Sequence, residues 1–119
     1  ERGRAQQSLR VRAEVLRQLL PIIDDFQRAL ANAPDEVDDG WLEGIRLIER
    51  KLQTLLQAFG VEPIDALGQP FDPNYHDALM QEPSEEYPEG VVMAEIQQGY
   101  MLEDQVLRPT MVKVSQGPS

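Results

Sequence analysis

The sequence predicts an α+β protein: long paired helices forming a dimeric four-helix bundle, followed by a small all-β C-terminal domain. Three observations predict it. Apolar residues recur at heptad spacing over residues 5–31 and again over 41–59. Prolines then break the remainder into short β-prone runs, and two helices alone make too thin a core to bury their apolar stripes. The boundary falls after Gly60, which leaves a helical stalk and dimerisation bundle over 1–60 and a small β domain over 61–119. A chain of 119 residues suits such a division.

In the first helix, alternating steps of three and four land on Leu9, Arg12, Leu16, Leu19, Ile23, Phe26 and Leu30. All but Arg12 are apolar, the seam expected of a helix packed along another helix. Arg12 has to snorkel outward or meet a carboxylate. Pro21 removes a backbone donor and crowds the Arg17 carbonyl, so a kink or a helix–helix junction is expected there. Residues 32–40 hold Pro34 and four acidic side chains and read as a loop. The second helix carries Trp41, Ile45, Ile48, Leu52, Leu55 and Phe59, and Gly60 follows in the position that favours a left-handed cap. Leu20, Ile22, Leu42, Leu47 and Leu56 widen both stripes. Pairing with a second copy buries all of this surface at once, so a homodimer is the physical inference.

Beyond Gly60, prolines at 63, 70, 73, 83, 88, 109 and 118 leave no room for a long helix. The strand candidates are 91–96, 99–102, 105–108 and 110–114, the last with side chains alternating at a period of two. Glu103-Asp104 reads as a hairpin turn without the usual glycine, and Pro109 as an edge or a bend.

The net charge of −10 is uneven. Residues 1–60 carry 10 acidic against 9 basic side chains, and residues 61–119 carry 11 against 2. The second half therefore repels phosphate backbones, and no nucleic-acid partner is expected. Arg2, Arg4, Arg10, Arg12 and Arg17 crowd the start of the first helix, as a solvated face or as a strip for an acidic partner. No apolar run approaches the roughly 20 residues that span a bilayer, so no membrane partner is expected and the cytoplasm is the default location. The chain opens on Glu1 without a Met and reads as a fragment.

The inventory for catalysis is thin. Without Cys there is no thiol nucleophile and no thiolate metal site. The single histidine, His76, lies in Phe71-Asp72-Pro73-Asn74-Tyr75-His76-Asp77. A metal-dependent hydrolase centred on it needs further ligands or a nucleophile that no recognisable spacing supplies. A histidine that ties a turn by a hydrogen bond is the plainer reading. Phosphate-binding glycine motifs are missing too, so no cofactor and no enzymatic activity are expected.

Several segments, taken together, resemble the GrpE family. They are Leu19-Leu20-Pro21-Ile22-Ile23-Asp24-Asp25-Phe26-Gln27-Arg28-Ala29-Leu30, Gly44-Ile45, Phe59-Gly60-Val61, Phe71-Asp72-Pro73-Asn74-Tyr75-His76-Asp77-Ala78 and Pro88-Glu89-Gly90-Val91-Val92. The most specific is Gly99-Tyr100-Met101-Leu102-Glu103-Asp104-Gln105-Val106-Leu107-Arg108-Pro109-Thr110-Met111-Val112-Lys113-Val114. The resemblance implies a nucleotide exchange factor that binds the ATPase domain of a DnaK-type chaperone and promotes ADP release. It implies partner contacts at Arg2, Arg4, Pro73, Ile96, Gln105, Arg108 and Val114. Inward-facing core roles are the alternative for Ile96 and Val114, and a salt bridge within the domain for Arg108. Family members usually carry an Arg where this chain has Gln105, and the chain begins partway along the family's long helix. A helical dimerisation adaptor with a protein-binding β domain is the rival reading.

The expected dimer core comprises Leu16, Leu19, Ile23, Phe26, Leu30, Gly44, Ile45, Ile48, Leu52 and Leu55. Gly44 stands inside a helix, either for close approach in the bundle or because a side chain there displaces the β domain or the partner. Leu52→Asp puts a charge into this core and should dissociate or unfold the dimer. Sedimentation checks it, and a stable folded monomer of the unmutated chain at micromolar concentration contradicts the dimer.

Overall fold

Helix α1 spans Arg2–Ala31 without interruption in a computed structural model that describes residues 2–119. The junction expected at Pro21 does not occur. Pro21 is exposed, so the Arg17 carbonyl that loses its helical partner is not trapped in a core. Helix α2 spans Asp39–Ala58. Its start is set by Asp38, whose carboxylate accepts the Trp41 N–H at 3.0 Å, an N-cap that removes one orphan donor. At its end Phe59 caps the helix and Gly60 takes φ 86°, the left-handed conformation a glycine adopts without strain.

The two helices pack as an antiparallel hairpin, with a phase that differs from the single heptad expected. The buried positions of α1 are Ala13, Leu16, Leu20 and Ile23, and the same line continues through half-buried Gln27 and Leu30. Gln27 marks this side as the one turned to α2, because its Nε2–H donates to Glu49 Oε1 at 3.1 Å. Gln53 donates to the same oxygen at 3.2 Å. A polar layer thus interrupts the apolar seam, the kind of feature that fixes helix register at some cost in stability.

Residues 61–119 fold separately into six short strands. These are β1 (Val61–Pro63), β2 (His76–Glu82), β3 (Val92–Gln97), β4 (Tyr100–Leu102), β5 (Gln105–Arg108) and β6 (Thr110–Ser115). They form two three-stranded sheets, β1-β4-β5 and β2-β6-β3. The hairpin turn lies where expected: Leu102 pairs with Gln105, and Glu103 adopts φ 54° in place of a glycine. Thr110, Val112 and Val114 alternate with half-buried Met111 and Lys113 along β6. Val112 and Val114 join Ala66 and Val92 in the core, with Phe71 packed against them.

Two strands were not expected. β1 is three residues long and pairs antiparallel with β4, and β2 pairs parallel with β6. Between His76 and Glu82 the β2 run is Asp, Ala, Leu, Met and Gln, mostly helix formers, so tertiary pairing overrides local preference there.

The sheets are joined where β3 passes into β4 at Gln98-Gly99 and β5 into β6 at Pro109. At this crossing the backbones touch. A Cβ on Gly99 would lie 2.3 Å from Thr110 N, 2.5 Å from Pro109 C and 2.7 Å from Arg108 O. Pro109 has no N–H to donate to a ladder, and the Gly99 N–H donates to the Thr110 hydroxyl, at 2.9 Å. Gly99 O in turn accepts from Ile64 N–H at 2.9 Å. We expect Gly99→Ala to cost the β domain about 2–3 kcal/mol through backbone displacement. Thr110→Val should cost about 1–3 kcal/mol by leaving a buried N–H unmade. Chemical denaturation followed by tyrosine fluorescence checks both.

Candidate partner-binding surfaces

Each helix of the hairpin carries a second apolar stripe that is largely exposed among the described residues. On α1 it comprises Val11, Val15, Leu19 and Ile22, all exposed, with half-buried Phe26. On α2 it comprises Trp41, Ile48, Leu55 and Phe59, also exposed, Trp41 by 59%. At 100° per residue, each stripe lies roughly 100° round its helix from the buried line, and antiparallel pairing turns both to the same side. The result is a continuous two-helix apolar face. Isolated exposed apolar residues are ordinary; a two-stripe face marks an interaction surface.

The ten residues expected in the dimer core divide between these environments. Leu16 and Ile23 are buried within the chain, and Phe26, Leu30, Ile45 and Leu52 are half-buried. Leu19, Gly44, Ile48 and Leu55 are exposed, and a Cβ on Gly44 would meet no atom within 4 Å. A single heptad line runs between two stripes and samples both. Val11 and Val15 were missed for this reason, and Ile22 was placed beside the stripe, although a second line drawn three or four residues away from the first finds all three.

On the β domain the expected contact residues separate sharply. Ile96 is 47% exposed on β3, and Gln105 and Pro73 are exposed. Val114 is a correction: only 6% exposed, it is one of the core residues of β6 and presents no side chain to a partner. The alternate residues Met111 and Lys113 take the other face. Arg108 is engaged within its own domain. Its Nε and Nη2 both donate to Gln98 O, at 2.9 and 2.7 Å, and its guanidinium lies 5.6 Å from the centroid of the buried Tyr100 ring. Arg108 therefore braces the same crossing that Gly99 and Thr110 form. Arg4 is exposed on α1, and the side chain of Arg2 lies outside the described ones.

His76 ties its turn, as its sequence context suggests. Asp72 N–H donates to His76 Nδ1 at 2.9 Å, and His76 N–H donates back to Asp72 O at 2.8 Å. Pro73 occupies the second position of the turn that Tyr75 N–H closes on Asp72 O, and Asp72 Oδ1 accepts from Asn74 N–H. Among the described residues no group of three or more His, Asp or Glu side chains is arranged to hold a metal ion. No helix among them is long and apolar enough to cross a membrane.

The family model described as GrpE matches residues 2–116. Among curated relatives, the Protein GrpE of Bacillus pumilus (strain SAFR-032) is 48% identical over 103 residues, 86% of this chain and 56% of that protein. The Protein GrpE of Exiguobacterium sibiricum is 48% identical over 103 residues, 86% of this chain and 55% of that protein. That of Shewanella sp. (strain MR-4) is 45% identical over 102 residues, 84% of this chain and 50% of that protein. The chain spans about half the length of the curated relatives it matches. With its two-helix apolar face and its small two-sheet domain both inside the matched span, the chain belongs to the GrpE family.

Proposed function

We propose that this chain is the dimerisation and chaperone-binding portion of a cytoplasmic nucleotide exchange factor. It binds the ATPase domain of a DnaK-type chaperone, holds the nucleotide cleft open and promotes ADP release. Family membership over nearly the whole chain is the observation that carries this reading. The mechanism is differential binding. A factor that prefers the open cleft weakens ADP by the same coupling free energy with which ADP weakens the factor. No bond is made or broken, and no side chain of this protein needs to act as acid, base or nucleophile.

The homodimer buries the exposed face of the hairpin. Trp41, Ile48, Leu55 and Phe59 with Val11, Val15, Leu19 and Ile22 meet their counterparts, giving four helices around a shared core. Gly44 lies on the same side of α2, where a missing side chain allows close approach.

The chaperone-binding surface combines Pro73, Ile96 and Gln105 on the β domain with Arg2 and Arg4 on α1. Arg108 acts as a positioning residue that holds Gln98 and Tyr100. With 11 acidic and only 2 basic side chains in residues 61–119, apolar anchors such as Ile96 carry the contact, and a uniform charge field does not. Gln105 in place of the family's usual Arg removes a charge-assisted hydrogen bond at this surface.

The test is the off-rate of fluorescent ADP from a DnaK-type chaperone with and without the protein. Acceleration is expected, and Ile96→Asp should abolish most of it while circular dichroism and dimerisation stay unchanged. An unaltered off-rate favours the adaptor reading. Gly44→Ala supplies a second check. In an uncovered helix it stabilises by about 0.5–1 kcal/mol. Against a tightly packed second copy the sign reverses, and the midpoint of thermal unfolding should fall.

A further inference from the structure

The turn that His76 ties also walls a groove of about 470 Å³ that the chaperone reading leaves unused. Its lining includes Pro70, Phe71, Pro73, Tyr75 and His76, with Asp65 at the rim. The apolar part is aromatic and proline-rich. The Phe71 ring lies 5.9 Å from the His76 ring at 46°, and Tyr75 is 41% exposed beside them. Such walls suit an extended peptide, whose proline and aliphatic side chains stack on aromatic and pyrrolidine rings.

The floor of the groove offers a directed donor. His76 is only 6% exposed, and its Nδ1 accepts the Asp72 N–H. That bond places the proton of the neutral imidazole on Nε2. Nε2 has no partner among the described residues, where no side-chain polar atom is buried without one, so Nε2–H reaches solvent at the groove that His76 lines. A donor fixed in this way suits a backbone carbonyl.

Charge decides what kind of peptide fits. The Asp65 carboxylate is exposed and makes no hydrogen bond or ion pair among the described residues. The two cations of residues 61–119 are both held elsewhere, Arg108 on Gln98 O and Lys113 on Glu82 at 3.2 Å. The groove therefore sits in a negative field with an acid free to receive a cation.

We propose that this groove binds an extended peptide segment rich in proline and aliphatic residues and carrying an arginine or lysine. A peptide carbonyl accepts from His76 Nε2–H, apolar side chains cover Phe71 and Tyr75, and the cation pairs with Asp65. Pro73 is shared with the proposed chaperone surface, but peptide binding needs no chaperone, so the two ideas fail separately.

Because His76 is the only histidine, its imidazole nitrogens give an unambiguous NMR signal. The full chain is titrated with acetyl-Pro-Leu-Pro-Arg-Pro-Leu-amide and with the counterpart carrying Glu in place of Arg. Saturable shifts of His76 Nε2 and of the Phe71 and Tyr75 rings are expected with the Arg peptide. The Glu peptide should bind roughly tenfold more weakly. Tyr75→Ala and Asp65→Asn change exposed side chains and should each raise the half-saturation concentration by about fivefold or more while leaving the amide spectrum folded. No saturable shift at millimolar peptide, equal binding of both peptides, or shifts that exclude His76 would overturn the proposal.

Discussion

The β domain depends on one close crossing of two chain segments. Gly99 passes over Arg108, Pro109 and Thr110 at a distance that no side chain survives. Hydrogen bonds outside the regular ladder hold this point. The Thr110 hydroxyl accepts the Gly99 N–H, Ile64 N–H caps Gly99 O, and the Arg108 fork closes on Gln98 O. Because β3 runs on into β4 and β5 into β6 through this crossing, one long antiparallel ribbon serves two sheets. Each half recruits its own third strand, β2 on one side and β1 on the other. A domain of 59 residues is thereby given two sheets with a buried centre at Tyr100, Leu102, Val92 and Val112. Were the ribbon flat, it would expose one whole face to water.

The helical unit is governed by the width of its apolar arcs. A helix that packs against one neighbour needs a narrow seam; α1 carries apolar residues over an arc wide enough for two. One edge of that arc, through Ala13, Leu16, Leu20 and Ile23, is consumed inside the chain. The other, through Val11, Val15, Leu19 and Ile22, is left over. The Gln27–Glu49–Gln53 layer sits within the consumed edge, where amide-to-carboxylate bonds tolerate few other registers. Polar bonds thus set how α1 and α2 align, and the uncovered edge keeps the large side chains Trp41, Phe59 and Ile22 available for association.

Exposure along single strands separates scaffold from surface in the β domain. On β6, flanked by a strand on either side, Val114 faces the core, whereas Ile96 at a register shift of edge strand β3 points to solvent. A bulge turns a side chain away from the pleat its neighbours follow, which is how an apolar residue becomes available at a sheet edge. Arg108 shows the opposite conversion. A cation on a short strand is engaged by a carbonyl and an aromatic ring inside its own domain.

By itself the sequence determined the division at Gly60, the existence of two helices, the short strands from 92 onward, the Glu103-Asp104 turn and the structural histidine. Each of these rests on local chemistry: heptad spacing, a glycine cap, period-two alternation, a turn closed within five residues. Most of the specific family signature lies in the same ribbon, so the family too was legible there. The tertiary structure alone decided the rest. Strand β2 is made of helix-forming residues and exists because β6 offers it a parallel partner more than thirty residues away in sequence. The phase of the helical seam could not be read because an apolar arc wide enough for two neighbours averages to a line between its edges. Whether Val114 or Ile96 faces outward depended on register shifts, and a shift of one residue reverses every side chain beyond it. Local patterns name the elements, while faces and registers are settled only when distant strands and helices compete for the same apolar surface.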